Sequence, residues 1–264
     1  ETLGFIGSGN MAEALCRGVI DNGLFPPDRI CASDVSPERR DVFAGLHTTV
    51  TESNTDAVQH SDILILAVKP QIVKHVLEEV AGCLTHRKTV ISIAAGIPIS
   101  LIESYSKQVP VIRVMPITPF LLGCGATAVA AGAFAGGEHM ETARKIFETG
   151  SIVVEVSEDR MDAVTALSGS GPAYFFYLAE LLLQEVVGAG LTEEESEALL
   201  FRTMEGASKM LAGSGYSPSR LREMVTSPGG TTEAALNAFD ENGFPAAVRK
   251  GFSAAVRRSG ELQE

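Results

Sequence analysis

GFIGSGNMA, residues 4–12, sets Gly7, Gly9 and Ala12 in the spacing G-x-G-x-x-A, directly after the short apolar run 3–6 and at the start of an amphipathic segment, 11–22. Each small residue has its own reason to be there. Gly7 permits a tight turn, Gly9 lets the backbone approach a pyrophosphate, and Ala12 lets strand and helix pack closely. The helix N-terminus adds N–H donors and the positive end of its dipole. The spacing alone also fits a glycine turn without a ligand, and it is the placement at the first strand-to-helix turn that favours a dinucleotide site.

The same rhythm continues to about residue 157. Apolar, mostly β-branched runs at 29–33, 63–68, 89–94, 111–115, 126–130 and 152–156 predict strands, and amphipathic stretches at 37–44, 72–81 and 138–149 predict helices between them. The alternation predicts an α/β, Rossmann-type domain over 1–157 with a parallel, doubly wound sheet. After Glu158 the strand signal stops. Segments 159–167, 173–189, 192–211, 218–225, 232–240 and 245–262 read as helices, giving an all-α domain over 158–264. Thr192 and Glu195 have the spacing of a capping box, and Gly190 suits the end of the helix before them. The helix at 173–189 is apolar on nearly every face, which predicts a second subunit packed on it and an obligate dimer.

Composition narrows the function classes. The 264 residues are 45% hydrophobic, enough for one large core or two smaller ones, and the formal net charge is −12. No basic run is present, so nucleic acid is not an expected partner. Cys16, Cys31, Cys83 and Cys124 are scattered and form no C-x-x-C pair, which predicts neither zinc nor disulfides and suits a reducing, cytoplasmic setting. The N-terminal residues lack a basic stretch and lead straight into a strand, so they read as folded protein and not as a signal peptide. The longest apolar stretch, 173–187, is interrupted by Glu180, Gln184 and Glu185, so no membrane span is expected.

Asp34 ends the second predicted strand, roughly 20 residues beyond the glycine turn, where an acid binds the adenosine ribose hydroxyls. That favours NADH over NADPH, because a carboxylate repels a 2′-phosphate. Arg39 and Arg40 follow closely, either as phosphate ligands or as solvated helix surface. AVKP, residues 67–70, closes another strand at the edge where open α/β sheets bind ligands, and Lys69 there is either a cofactor contact or an exposed strand end. SIAAG, 92–96, and RVMPITP, 113–119, end two further strands with small residues or prolines, as room for a nicotinamide or as ordinary turns.

Together with ALSGSGPAY, 166–174, and TSPGGTT, 226–232, these pieces resemble the pyrroline-5-carboxylate reductase family, and the likeness runs from Gly4 to about Arg249. The resemblance implies a Rossmann domain and a helical domain that interlocks with its partner in a homodimer, often assembled into decamers. It implies cofactor contacts at Ile6, Gly7, Ser8, Gly9, Asn10 and Met11, at Asp34 and Ser36, at Asn54, at Ala67, Val68, Lys69 and Pro70, and at Ile93, Ala94 and Ala95. It implies substrate contacts at Glu158, Ser227, Thr231 and Thr232. The chain departs from the family at Ile117, where many members have asparagine, and at Met224, where some have a polar residue. Asp34-Val35 stands where NADPH-preferring members often have Asn-Arg, which supports NADH.

Reducing the C=N bond of 1-pyrroline-5-carboxylate needs a hydride donor, a seat for the substrate carboxylate and a hydrogen bond to the ring nitrogen; it needs no metal or strong base. Gly229 and Gly230 would let successive N–H groups up to Thr231 and Thr232 converge on that carboxylate at a helix start, with a hydroxyl from Ser227. Thr232 is the expected catalytic residue, orienting the imine through its hydroxyl. The plain alternative is an interhelical turn with a threonine cap. SGSGP, 168–172, would bring the helical domain close to the cofactor. Glu158 either meets the cationic nitrogen or serves a helix start. Two rival functions share the layout: a β-hydroxyacid dehydrogenase, whose lysine is missing from 173–189, and a dinucleotide sensor without catalysis.

Overall fold

A computed structural model describes residues 1–106 and 108–261. Its elements are, in order, β1 (Leu3–Ile6), α1 (Asn10–Asp21), β2 (Ile30–Ser33), α2 (Pro37–Ala44), β3 (Thr49–Thr51), α3 (Asn54–Gln59), β4 (Ile63–Leu66), α4 (Pro70–Val80), β5 (Thr89–Ser92), α5 (Ile99–Tyr105) and β6 (Val111–Met115). Then come β7 (Gly125–Ala131), α6 (Gly137–Phe147), β8 (Ser151–Glu155), α7 (Met161–Val164), α8 (Gly171–Gly188), α9 (Glu193–Gly213), α10 (Pro218–Met224), α11 (Thr231–Glu241) and α12 (Phe244–Glu261). One compact unit comprises Glu1–Gly169 and the chain from Ala255; the other is Ser170–Ala254.

The strands form one sheet in the order β3-β2-β1-β4-β5-β6-β7-β8. From β3 to β6 all pairings are parallel, and the order reverses direction between β1 and β4, which opens a crevice outside their carboxyl ends. This is the Rossmann-type sheet that the sequence predicts, with one correction: β7 pairs antiparallel with β6. Only a short 3-10 turn, Thr118–Leu122, joins these two strands. A parallel return needs a crossover of about a dozen residues or more, and the segment is too short to supply one. After α6, β8 runs parallel to β7.

Because helices cover both faces of the central strands, those strands are buried throughout and read as continuous apolar runs. Alternate side chains enter two different cores. Leu3, Phe5, Ile65, Ile91 and Ile112 face a cluster with Leu15 and Val19 of α1, Phe43 of α2 and Phe147 of α6. Ile6, Leu64, Leu66, Val90 and Val111 face the opposite cluster with Val73, Val76 and Leu77 of α4 and Ile102 of α5. Phe5 and Phe43 meet edge to face at 5.7 Å.

Three elements were not anticipated. β3 is three residues long, α3 is six, and α5 starts straight after Pro98. The segment read as one helix over 159–167 is instead a 3-10 turn at Glu158–Arg160, then α7, then a π turn at Thr165–Gly169. The helix end expected at Leu262 falls outside the described residues. In the second unit Thr192 accepts from the Glu195 N–H at 3.2 Å while Glu195 accepts from the Thr192 N–H at 2.9 Å, and Gly190 turns the chain at φ 106°. On α8, Phe175, Phe176 and Tyr177 are exposed in the single chain. No helix among the described residues is long and apolar enough to cross a membrane.

Phe5 links β1 to α2 in a fully buried setting, so Phe5→Ala should cost about 3–5 kcal/mol. Chemical denaturation followed by circular dichroism measures it, and a loss below about 1 kcal/mol would contradict this core.

Candidate functional site

The glycine turn at the end of β1 sits beside the reversal of strand order. Gly7 has φ 92°, a conformation that only glycine adopts without strain, and its N–H donates to the Ser33 carbonyl oxygen at 2.9 Å. A Cβ there would lie 2.9 Å from the Ala67 carbonyl oxygen and 2.9 Å from Val68 Cγ1, so β4 itself demands glycine. Gly9 has the opposite environment. It caps α1 at φ −66°, and a Cβ built on it would meet nothing within 4 Å. With no side-chain cap on α1, the first N–H groups, from Asn10 and Met11, are among the four that the helix does not satisfy at its positive end. A helix start of this kind suits an anion.

Asp34, just past β2, ties the glycine turn to the start of α2. Its Oδ2 accepts from the Ser8 N–H at 2.7 Å, and its Oδ1 accepts from the Ser36 N–H at 2.9 Å. A carboxylate has about four acceptor positions, so both oxygens retain capacity for a ribose diol. Ser36 is committed as the N-cap of α2, accepting from the Arg39 N–H at 3.2 Å. Asn54 begins α3 and is held at both ends of its amide. Its Oδ1 accepts from Ser33 Oγ at 2.8 Å, and its Nδ2 donates to Glu79 Oε2 at 2.8 Å.

The remaining cofactor-side residues also gather at carboxyl strand ends of the first unit. Ala67 bonds back to the Ile6 carbonyl oxygen through its N–H at 2.9 Å, and Ile93 to that of Leu66 at 3.1 Å, so both loops leave the sheet beside the crevice. Lys69 is exposed as the N-cap of α4, with Pro70 in the first turn. Ala94 is buried and Ala95 half-buried, before a left-handed Gly96 at φ 73°. Gly169, at the end of the π turn, comes so close to β6 that a Cβ would lie 2.6 Å from the Met115 methyl. π turns recur at functional sites because they widen a helix locally.

Glu158 serves a helix start, that of α5 and not of the turn it opens. Its Oε1 accepts from the Ile99 N–H at 2.6 Å, completing the start of α5, and from Arg113 Nη1 at 3.2 Å. Arg113 is buried on β6, so this carboxylate compensates a desolvated cation as well as a helix end. Ile117 is half-buried and contributes a carbonyl to the following 3-10 turn through the Phe120 N–H at 2.9 Å.

In the second unit, the segment expected to receive a carboxylate leads into α11. Gly229 is left-handed at φ 70°, and Gly230 caps α11 without a side chain. The structure narrows the donor set. The Gly229 N–H already donates to Glu233 Oε2 at 2.7 Å, and the Gly230 N–H to the Ser227 carbonyl oxygen at 2.9 Å. The N–H groups of Thr231 and Thr232, in the first turn of α11, belong to the four that no helix can satisfy internally. Ser227 and Thr231 are exposed, and Thr232 is half-buried.

Four contacts were missed in the sequence. Glu233 stands three residues after Gly230, a capping-box spacing that signals a role at a helix start. Glu79 and Ser33 carried no local signal for gripping Asn54. Arg39 closes on the glycine turn itself, donating from Nε to the Ser8 carbonyl oxygen at 2.5 Å, and only the fold makes that contact visible. Burial pulls the Glu13 carboxyl upward, but hydrogen bonds from Arg39 and Arg17 outweigh it and hold it below the usual range. Cys16, beneath the turn, is no nucleophile, because burial pushes its thiol up to about 12.

Two family models match the chain. One, described as pyrroline-5-carboxylate reductase dimerisation, matches residues 158–262, and another, described as NADP oxidoreductase coenzyme F420-dependent, matches residues 2–96. A pyrroline-5-carboxylate reductase of Pseudomonas aeruginosa is 42% identical, with 99% of this chain and 97% of the relative covered. Among solved structures, a pyrroline-5-carboxylate reductase from Coxiella burnetii superposes with a TM-score of 0.92 at 37% identity, covering 100% of this chain and 98% of that one. A pyrroline carboxylate reductase from Plasmodium falciparum with NADP bound gives 0.89 at 30% identity, covering 100% and 98%.

The two glycines should separate under mutation. Gly7→Ala forces a left-handed alanine against β4 and should lower stability by about 1–2 kcal/mol as well as weakening dinucleotide binding. Gly9→Ala should leave stability within about 0.5 kcal/mol and still weaken binding about tenfold. Thermal melts and fluorescence titration with NADH measure both, and unchanged binding in Gly9→Ala would remove the pyrophosphate from this turn.

Proposed function

The chain belongs to the pyrroline-5-carboxylate reductase family, and from that membership we infer that it reduces the C=N bond of 1-pyrroline-5-carboxylate to L-proline, the last step of proline biosynthesis. It is an NAD(P)H-dependent oxidoreductase. The observation that carries this reading is the near full-length relationship, which spans both the glycine turn and the Gly229–Gly230 loop.

When bound, NAD(P)H supplies the hydride that goes to the imine carbon, and the residues of the chain bind and orient. The turn from Ile6 to Met11 receives the pyrophosphate on N–H groups, and Asp34 accepts from the ribose hydroxyls. Ser36 and Asn54 frame the same ribose end, while Ala67 to Pro70 and Ile93 to Ala95 line the strand ends. NADH is the preferred donor. The support is the Asp34 carboxylate, whose free acceptor positions suit a diol and whose charge opposes a 2′-phosphate.

The substrate carboxylate binds the N–H groups of Thr231 and Thr232, which the positive end of α11 favours. Gly229 and Gly230 shape that loop, and Ser227 adds a hydroxyl. Thr232 Oγ1 bonds the ring nitrogen and fixes the angle at which the imine carbon is presented. No side-chain base is required, because the imine nitrogen carries its proton on arrival and becomes a neutral amine once the hydride has added. Glu158, a substrate contact by the family resemblance, retains Arg113 as its partner.

By role, residues 1–157 form the cofactor domain and 158–264 the helical dimerisation and substrate domain. The protein is a homodimer built on the exposed aromatic face of α8, with a decamer as the higher assembly. A cytoplasmic setting suits its four free thiols.

The direct test supplies 1-pyrroline-5-carboxylate with NADH or NADPH and follows both cofactor absorbance and proline. Proline should form with either donor and faster with NADH; no proline with either one would overturn the function. Thr232→Ala should lower kcat about 100-fold with NADH affinity retained, and an unchanged rate would remove Thr232 from the site. Light scattering of Phe176→Glu should show loss of the wild-type assembly, and an unaltered mass would move the interface off α8.

A further inference from the structure

We propose that Glu13 and Glu52 set cofactor choice by keeping the guanidinium groups of Arg39 and Arg40 from closing on a phosphate at the adenosine 2′ position. The proposal deepens the NADH reading above and rests on it. Both arginines lie one hydrogen bond from the residues that make the ribose seat. Arg39 Nε donates to the carbonyl oxygen of Ser8, whose own N–H is bound by the Asp34 carboxylate. Arg40 Nη1 donates to the Asp34 carbonyl oxygen at 2.8 Å and to that of Val35 at 3.1 Å. Two cations beside a 2′-hydroxyl would ordinarily make a phosphate site.

Here each guanidinium is divided between partners. Arg39 Nη2 pairs with Glu13 Oε2 at 2.9 Å, and Glu13 Oε1 is held in turn by Arg17 Nη2 at 2.9 Å. Arg40 Nη2 pairs with Glu52 Oε1 at 2.5 Å. Phosphate recognition by arginine relies on two parallel N–H donors in one fork. In Arg39 the Nε–Nη2 edge, and in Arg40 the Nη1–Nη2 edge, is divided between backbone carbonyl and carboxylate. Each carboxylate also cancels the charge that a phosphate would seek. The arginines thus brace the glycine turn and the β2 end while Asp34 meets the ribose.

The pairs differ in exposure, which gives two separable handles. The Arg40 side chain is 16% exposed but Glu52 is 76% exposed, whereas Arg39 and Glu13 are 26% and 23% exposed. Removing the Glu52 charge leaves a mostly covered cation next to Asp34, with only water to replace its partner. Glu52→Gln is therefore the variant least expected to disturb folding.

The test measures binding to the purified full chain by calorimetry, using adenosine 5′-monophosphate and adenosine 2′,5′-bisphosphate as probes. Glu13→Gln with Glu52→Gln should tighten bisphosphate binding about fivefold and leave the monophosphate nearly unchanged. Adding Arg39→Lys and Arg40→Lys, which keep charge but lose the fork, should abolish the gain; a gain that survives, or one shared equally by both probes, would overturn the proposal. If the double variant fails to melt cooperatively, Glu52→Gln alone carries the test through Arg40, and no bisphosphate gain there counts against it. A wild-type chain that binds the bisphosphate more tightly than the monophosphate would sink the NADH reading itself, a result visible before any variant is made.

Discussion

The approach of Gly7 to the end of β4 is the constraint on which the nucleotide half of this protein depends. A side chain there would collide with the Ala67 carbonyl, and an L-residue would resist φ 92° even in free space. Because that one position is bare, β1 and β4 remain in register to their last residues, and the chain turns directly into α1. The helix then starts on Gly9, with nothing of its own to bond its first N–H groups. Other helices behave differently: α2, α3, α9 and α10 each begin on a serine or threonine whose side chain accepts an N–H. α1 and α11 start instead on glycines and leave their first donors without a side-chain cap.

Around that turn, charge is arranged in layers. Asp34 is bonded to the turn itself, the two arginines hold the turn and Asp34 through carbonyls, and Glu13 and Glu52 answer the arginines. No member of this set is simply a surface charge, although Arg39 and Arg40 look like one in the sequence. Exposed ion pairs contribute little to stability. The effect of such a set is better read in what it leaves available to a ligand: free carboxylate acceptors, and guanidinium edges already divided between partners.

Much of this was legible in the primary structure, and the remainder was hidden for identifiable reasons. The strands β1, β4, β5 and β6 announced themselves because burial on both faces leaves an unbroken apolar run, which periodicity detects. β3 has only Thr49, Val50 and Thr51, too few residues for any period, and α3 depends on a Ser53 cap that contributes more than its composition. The direction of β7 was invisible, since a strand's residues alternate identically whichever way it runs; only the short connection behind it decides. At the site, Gly7 could be read because its backbone conformation demands glycine, and Asp34 from its place at the end of the second strand. Glu79 on Asn54 and Arg113 on Glu158 could not, because those contacts bridge elements whose adjacency is a property of the sheet order.

The segment around Gly229 shows how the same logic operates in the helical unit. Sequence reasoning has successive N–H groups up to Thr231 and Thr232 converge there; the structure assigns those of Gly229 and Gly230 to the loop's own integrity. Glu233 in particular binds the Gly229 N–H, one residue further back than a capping box would place it, and so stabilises the left-handed turn that only glycine permits. Its carboxylate lies at the same helix start that is proposed to receive the substrate's. The first turn of α11 therefore accommodates one internal carboxylate already, and its positive end remains attractive to a second only through the N–H groups that Glu233 does not reach. Past the capped position Thr231 and Thr232 each carry an N–H that the helix leaves unused, as any residue but proline would there, and the side chain of Thr232 adds a hydroxyl to that first turn.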